Sequence, residues 1–241
     1  MFQKKKVSVI FPAYNEEKNI RKAVSDFFST GVVDEIVVVD NNSSDATFTI
    51  ASKTKAHVVQ EKKQGYGWAL RRGLAEASGD LLIMAEPDGT FVGKDIFKLL
   101  AYADEFDVIF GTRTSRSLIW KGAKMGWFLR MGNVFVAKVL EYLHNGPCLT
   151  DVGCTMKLIH RDVLPKIQPF FTVGGSHFSP EFMILCLHDS SIRCLEIPVN
   201  YFERIGESKI TSNFWKSFKL GLSMLWIVVG YRFGFYGIPK K

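Results

Sequence analysis

Short apolar runs alternate with longer amphipathic stretches along the first half of the chain. Val7 to Phe11, behind three lysines, reads as a buried strand. Beyond Pro12, Asn15 stands where a helix cap would, with Glu16 and Glu17 where the helix dipole favours acids. Ile20, Val24, Phe27 and Phe28 then recur at helical spacing. Glu35 to Val39, closed by Asp40, is a second strand. The polar turn Asn41-Asn42-Ser43-Ser44-Asp45 follows, with Ser44 or Asp45 capping a helix that runs to about Lys53. Val58 and Val59 mark a short third strand, and the glycine-punctuated Gln64-Gly65-Tyr66-Gly67-Trp68 opens a helix through Ala77. Leu81 to Ala85 is the central strand, Gly93 to Ala103 a helix with Ile96, Leu99 and Leu100 on one face, and Asp107 to Phe110 another strand. This alternation predicts βαβ units and an α/β fold with a mostly parallel central sheet flanked by helices.

The second half is less regular. Ala123 to Leu143 is a long helical stretch rich in aromatic and aliphatic residues, interspersed with Lys124, Arg130 and Lys138. Met156 to Ile159 reads as a strand, Ser179-Pro180-Glu181 as a helix start with Ser at the cap, and Ile192 to Val199 as a last strand. Leu220 to Tyr231 carries no charge. That run is shorter than the roughly 20 apolar residues a membrane span needs. With Phe214, Trp215, Phe218, Trp226 and Tyr231 and flanking Lys216, Lys219 and Arg232, it suits an apolar helix lying in or against a lipid interface, the alternative being a core or dimer-interface helix. Residues 1–211 are therefore expected to form the α/β unit and 212–241 a membrane-interfacial helix.

The chemistry gathers at residues 80–91. The central strand ends in a turn holding Glu86 and Asp88 around Pro87, with Gly89 behind. Two carboxylates one residue apart are a hard-oxygen site. Mg²⁺ or Mn²⁺ binds such a site through one or two carboxylates and completes its shell with diphosphate oxygens. Pro12, Asp40 and Glu86/Asp88 each follow a strand, so three segments are expected at the rim where ligands of parallel sheets bind. The chain carries a net charge of +7. That balance suits phosphorylated ligands, an anionic membrane or nucleic acid. The cations cluster near the phosphate-site motifs and form no basic stripe, which argues against nucleic acid. Cys148, Cys154, Cys186 and Cys194 show no CxxC spacing and read as reduced packing thiols. The start, Met1 to Lys6 and the short run behind it, does not read as a signal peptide.

Taken together, Val9-Ile10-Phe11-Pro12-Ala13-Tyr14-Asn15-Glu16-Glu17, Val38-Val39-Asp40-Asn41-Asn42-Ser43-Ser44-Asp45, Gly65-Tyr66-Gly67 with Ala69-Leu70, Ala77-Ser78-Gly79-Asp80, Gly111-Thr112-Arg113, Asp151 with Gly153, and Arg204 with Gly206-Glu207-Ser208-Lys209 resemble family-2 glycosyltransferases of the GT-A, Rossmann-like fold. The nearest pattern is that of the catalytic domains of dolichyl-phosphate or polyprenyl-phosphate mannose synthases. The resemblance implies that Pro12, Tyr14, Glu16, Val39 and Asp40 form a nucleotide pocket. It places the divalent cation on Asp88, with Glu86 beside it, although the family usually has Asp where Glu86 stands. It sets Arg113 and Arg130 towards an acceptor phosphate, and Arg204 and Lys209 over phosphates.

The implied reaction is inverting transfer from a nucleotide-diphosphate sugar, with GDP-mannose or a UDP-sugar as donor. With a polyprenyl phosphate as acceptor the attacking oxygen is already anionic. With a sugar hydroxyl a base is required, and Asp151 and Glu181 are the candidates. Alternatives are transfer to a non-lipid glycan and a non-catalytic nucleotide-sugar-binding membrane protein. The expected place is the cytoplasmic side of a membrane, held peripherally.

Overall fold

A computed structural model describes residues 1–123, 125–206 and 214–237. Seven strands form one sheet: β1 (Val7–Ala13), β2 (Glu35–Asp40), β3 (His57–Gln60), β4 (Leu81–Met84), β5 (Val108–Thr112), β6 (Lys157–His160) and β7 (Cys194–Pro198). Their order is β3-β2-β1-β4-β6-β5-β7. All neighbouring pairs are parallel except that β6 runs antiparallel to both β4 and β5. The apolar runs become strands because both faces of the sheet are covered. β4 is fully buried from end to end, as a strand between two helical layers must be.

Helices α1 (Ile20–Phe28), α2 (Thr47–Ala51), α3 (Tyr66–Glu76), α4 (Ile96–Leu100), α5 (Trp127–His144), α6 (Leu164–Ile167), α7 (Phe178–His188) and α8 (Phe214–Arg232) complete the chain. Alternate strand residues feed two cores. Val9, Phe11, Val38, Ile83 and Ile109 pack with α1 and α4 on one face. Ile10, Val37, Val39, Leu82 and Phe110 pack with α3, α5, α7 and α8 on the other. The inner side of α8, Met224, Ile227, Val228 and Tyr231, belongs to this second core, and His144 Nε2 of α5 meets its Val228 carbonyl at 2.9 Å. Among the described residues no helix is long and apolar enough to cross a membrane.

Several helix starts differ from the sequence reading: α2 starts at Thr47 behind Ala46 and α5 at Trp127. The first helix begins at Ile20, not behind Asn15. Asn15 adopts φ +56°, a region its short polar side chain tolerates. Its N–H donates to Ser43 Oγ and its Oδ1 accepts the Ser44 N–H, which sews the loop after β1 to the loop after β2. Likewise α7 starts at Phe178, and Ser179 is a buried residue inside it and not its cap.

Candidate active site

Because β1 pairs in parallel with both β2 and β4, the turns after Ala13, Asp40 and Met84 share one rim. Asp40 is buried there, and its Oδ1 has no hydrogen-bond partner. A buried carboxylate oxygen left unbonded costs free energy unless something donates to it, so this atom is set for a ligand. Pro12 and Tyr14 lie half-buried beside it. Val39 departs from the expectation: its side chain is fully buried in the core against α3, so only its backbone can serve a pocket. Asn41 donates to the carbonyls of Glu61 and Lys63 and accepts the Gly65 N–H. It thereby fixes the loop leading into α3, a role not assigned to it from sequence.

The acidic turn is covered by the segment after β7. Gly89 takes φ +85°, and the Ile205 N–H bonds the Asp88 carbonyl at 3.0 Å. Arg204 spans the site, with Nη2 2.8 Å from Glu16 Oε1 and Nη1 3.0 Å from Asp88 Oδ2. Asp88 Oδ1 accepts the Thr90 N–H and hydroxyl. Its Oδ2 is buried and, despite the ion contact, lacks a hydrogen bond. The Glu86 carboxyl turns inward onto the Thr155 hydroxyl at 2.6 Å, and that hydroxyl accepts the Tyr66 O–H at 2.6 Å.

Burial, then the Asp88 charge, push the Glu86 carboxyl up to about 7, while the Thr155 hydroxyl and Arg204 oppose the rise. Burial also raises Glu16, although Asn19 and Arg204 oppose it. Burial weakens the hold of Arg204 on its proton, but Asp88, Glu86 and Glu16 outweigh that and tighten it. Crowded carboxylates of this kind call for positive charge. Among the described residues no group of three or more His, Cys, Asp or Glu forms a metal site. Asp88 and Glu86 are the carboxylates of this turn that could hold a divalent cation, which would need its remaining ligands from a phosphate or water.

Arg113, at the end of β5, is gripped by Asp151. Nε donates to Oδ2 at 2.8 Å, Nη2 to Oδ1 at 3.0 Å and the backbone N–H to Oδ2 at 3.0 Å. Burial acts to raise the Asp151 carboxyl, but Arg113 and these bonds outweigh it and hold the group below its usual range. The guanidinium also lies 5.3 Å from the Tyr201 ring centroid. Burial raises the Tyr201 hydroxyl, with Arg113 opposing and Glu86, Asp88 and Asp151 adding to the rise; the Glu86–Thr155 hydrogen bond joins the acidic turn to the loop that carries Asp151.

Arg130 is half-buried on α5, one turn before Asn133. A Cβ on Gly153 would meet Asn133 Oδ1 at 2.9 Å and Arg113 Nη2 at 3.0 Å, so that part of α5 borders the cleft. Glu181 is not in the cleft as a free base. It is fully buried, accepting from Thr172 N–H and hydroxyl, Val173 N–H and, at 2.8 Å, Tyr231 O–H of α8. Lys209 lies outside the described residues.

Sequence reading also passed over Lys157. In the middle of the sheet it stands opposite Met84 of β4 and Phe110 of β5, the strands that deliver the acidic turn and Arg113. Its fully buried Nζ donates to the Cys154 carbonyl and, at 2.8 Å, to Ser179 Oγ, which in turn donates to the Val152 carbonyl. One ammonium thus holds the underside of the loop that carries Asp151 and Thr155. Burial lowers its proton affinity. Lys157→Met relieves that desolvation but leaves the Cys154 carbonyl and Ser179 Oγ without this donor, two opposing effects. Thermal unfolding should show a stability change within about 1 kcal/mol. Turnover should fall roughly tenfold or more as the loop shifts; unchanged turnover contradicts the role.

The model of the family described as "Glycosyl transferase family 2" matches residues 8–168. Undecaprenyl-phosphate 4-deoxy-4-formamido-L-arabinose transferases of Salmonella paratyphi B and Salmonella newport are 29% identical over 220 residues. The match covers 85% of this chain and 62% of theirs, so the chain spans about three-fifths of the length of these relatives. Glucosyl-3-phosphoglycerate synthase from Mycobacterium tuberculosis, solved with Mn²⁺, uridine diphosphate and phosphoglyceric acid, superposes with a TM-score of 0.70 at 18% identity. That match covers 99% of this chain and 81% of the synthase. A second mycobacterial protein gives 0.72 at 18% identity, over 98% and 76%. At these identities the likeness is one of fold.

Proposed function

Because the chain belongs to glycosyl transferase family 2, we propose that it transfers a sugar from a nucleoside-diphosphate donor to a polyprenyl phosphate at a membrane surface. One observation carries the choice of acceptor. The two carboxylates named as candidate bases, Asp151 and Glu181, have their oxygens taken by internal donors. A hydroxyl acceptor needs a base within reach; a phosphate is already ionised and needs cations to hold it. The relatives that act on undecaprenyl phosphate support the same reading.

Asp40, with Pro12, Tyr14 and the backbone of Val39, would receive the nucleoside. Asp88 and Glu86 would hold a divalent cation, which supplies neutralising charge to the diphosphate. Arg204, released from Asp88 and joined by Lys209, would close over the phosphates, its planar fork suited to two oxygens at once. Arg113 has five N–H groups, two of them spent on Asp151, so three remain for the acceptor, with Arg130 at its side. Asp151 is thereby a positioning residue. The acceptor oxygen forms the new bond to the anomeric carbon from the face opposite the donor. The old carbon–oxygen bond breaks with its electron pair leaving on the nucleoside diphosphate, and no net proton moves.

Residues 1–211 would be the catalytic unit, and α8 would rest the protein on the cytoplasmic face of a membrane, where thiols such as Cys148 stay reduced. The test is purified protein with Mg²⁺ or Mn²⁺, a short polyprenyl phosphate and a panel of labelled GDP- and UDP-sugars. Label should enter the organic phase only when metal is present. Water-soluble product points to a glycan acceptor instead, and nucleotide binding without turnover to a sensor.

A further inference from the structure

The outer side of α8 exposes Trp215, Phe218, Leu222 and Trp226, spaced three and four residues apart and therefore on one helical face. Its neighbour α5 does the same with Trp127, Met131 and Phe135, which are 69%, 42% and 61% exposed. Stripes of this size on a soluble surface mark an interaction site. The sequence around them is mainly basic, with Glu141 near the end of α5, paired with Lys138, as the acid on these helices. No Asp or Glu occurs between Asp107 and Glu141, a span holding Arg113, Arg116, Lys121, Lys124, Arg130 and Lys138. None occurs after Glu207, where Lys209, Lys216, Lys219 and Arg232 stand. The fold packs these two acid-free stretches together, α5 against α8.

We propose that α5 and α8 form a two-helix platform that docks on an anionic bilayer, rather than α8 acting alone. Tryptophan and phenylalanine stripes among lysines and arginines, with no helix able to span, are the pattern of helices that lie in the headgroup layer. A second copy of this chain would place the same cations against each other, which disfavours a dimer as the occupant.

The platform also orients the site, an inference that rests on the lipid-phosphate reading above. At 100° per residue, Asn133 lies on the side of α5 opposite its stripe, against Gly153 and Arg113. Arg130 lies on the flank between. One helix thickness, about 10 Å, then separates the bilayer-facing stripe from the acceptor cations. The phosphate of a membrane lipid reaches Arg113 along Arg130 with its chain still in the bilayer.

The test is flotation of the full chain with phosphatidylcholine vesicles, with and without anionic phosphatidylglycerol. Wild type should float with the anionic vesicles only. Trp127→Gln/Phe135→Gln and Leu222→Gln/Trp226→Gln should each lower the bound fraction by about tenfold or more. Both double variants should keep wild-type thermal unfolding and wild-type transfer to a short, water-soluble polyprenyl phosphate. An α5 variant that floats like wild type overturns the platform. So does a wild-type dimer that becomes monomeric in the variants with no vesicle binding at all. Stripe-dependent flotation without transfer to any lipid phosphate sinks the enzymatic reading and leaves the platform standing.

Discussion

Asp88→Asn is expected to lower kcat/KM by about a thousandfold or more in a protein that still folds. The substitution keeps the shape of the side chain, and an amide oxygen can still accept from Thr90, as Asp88 Oδ1 does. What disappears is the charge on Oδ2, the buried oxygen that has an ion contact but no hydrogen bond. Arg204 keeps its bond to Glu16, so the covering segment stays anchored at one end. Steady-state kinetics across a range of Mn²⁺ concentrations, paired with a melting curve, separate lost chemistry from lost fold. Activity that survives both the substitution and a chelator would remove the carboxylate from the account. Glu86→Gln should cost less, because Glu86 is already held by Thr155 and burial and the Asp88 charge both disfavour its ionised form.

The second large effect is on stability. Arg113→Ala strands the Asp151 carboxylate, which is fully buried and loses both hydrogen bonds from its one guanidinium partner. Breaking a buried pair from one side costs about 3–5 kcal/mol, enough to unfold many domains at moderate temperature. Arg113→Lys keeps the charge but not the fork, so it should recover part of the stability and little of the acceptor binding. The pH dependence has a definite sign. Folding depresses the Asp151 carboxyl, so its contribution is fully present above the unfolded value of about 3.9 and fades as pH falls through the lower folded value. Denaturant unfolding from pH 6 downward should show wild type losing this increment in acid. Asp151→Asn should be flatter over the same range. Parallel curves for the two would assign the acid lability to other carboxylates.

What was legible in the sequence follows physical locality. β1, β2 and β4 could be read because strands buried on both faces need unbroken apolar runs. The rim site followed, since a parallel sheet brings strand ends together. The antiparallel direction of β6 could not be read, because Met156 to Ile159 looks the same in either sense and its direction is set by β4 and β5. Asn15 resembled a cap because its companions, Ser43 and Ser44, lie far along the chain. Glu181 looked like a candidate base for the same reason. An acid in the first turn of a helix shows nothing of Thr172, Val173 and Tyr231, which close over it in space. Lys157 left a trace that could have been followed, a lone cation inside a run of buried strand residues. Such a residue must either reach solvent or find buried oxygens.

The proposed activity requires a nucleoside diphosphate held at the rim of β1, β2 and β4 through a cation on the acidic turn. Calorimetric titration of the wild-type protein with UDP and with GDP, in the presence and absence of Mn²⁺, tests this most directly. One of the two nucleotides should bind with Mn²⁺ at least about tenfold more tightly than without it. Asp88→Asn should abolish the metal dependence, and Asp40→Asn should weaken binding whether or not metal is present. Equal affinity with and without metal, or binding indifferent to both substitutions, would contradict it.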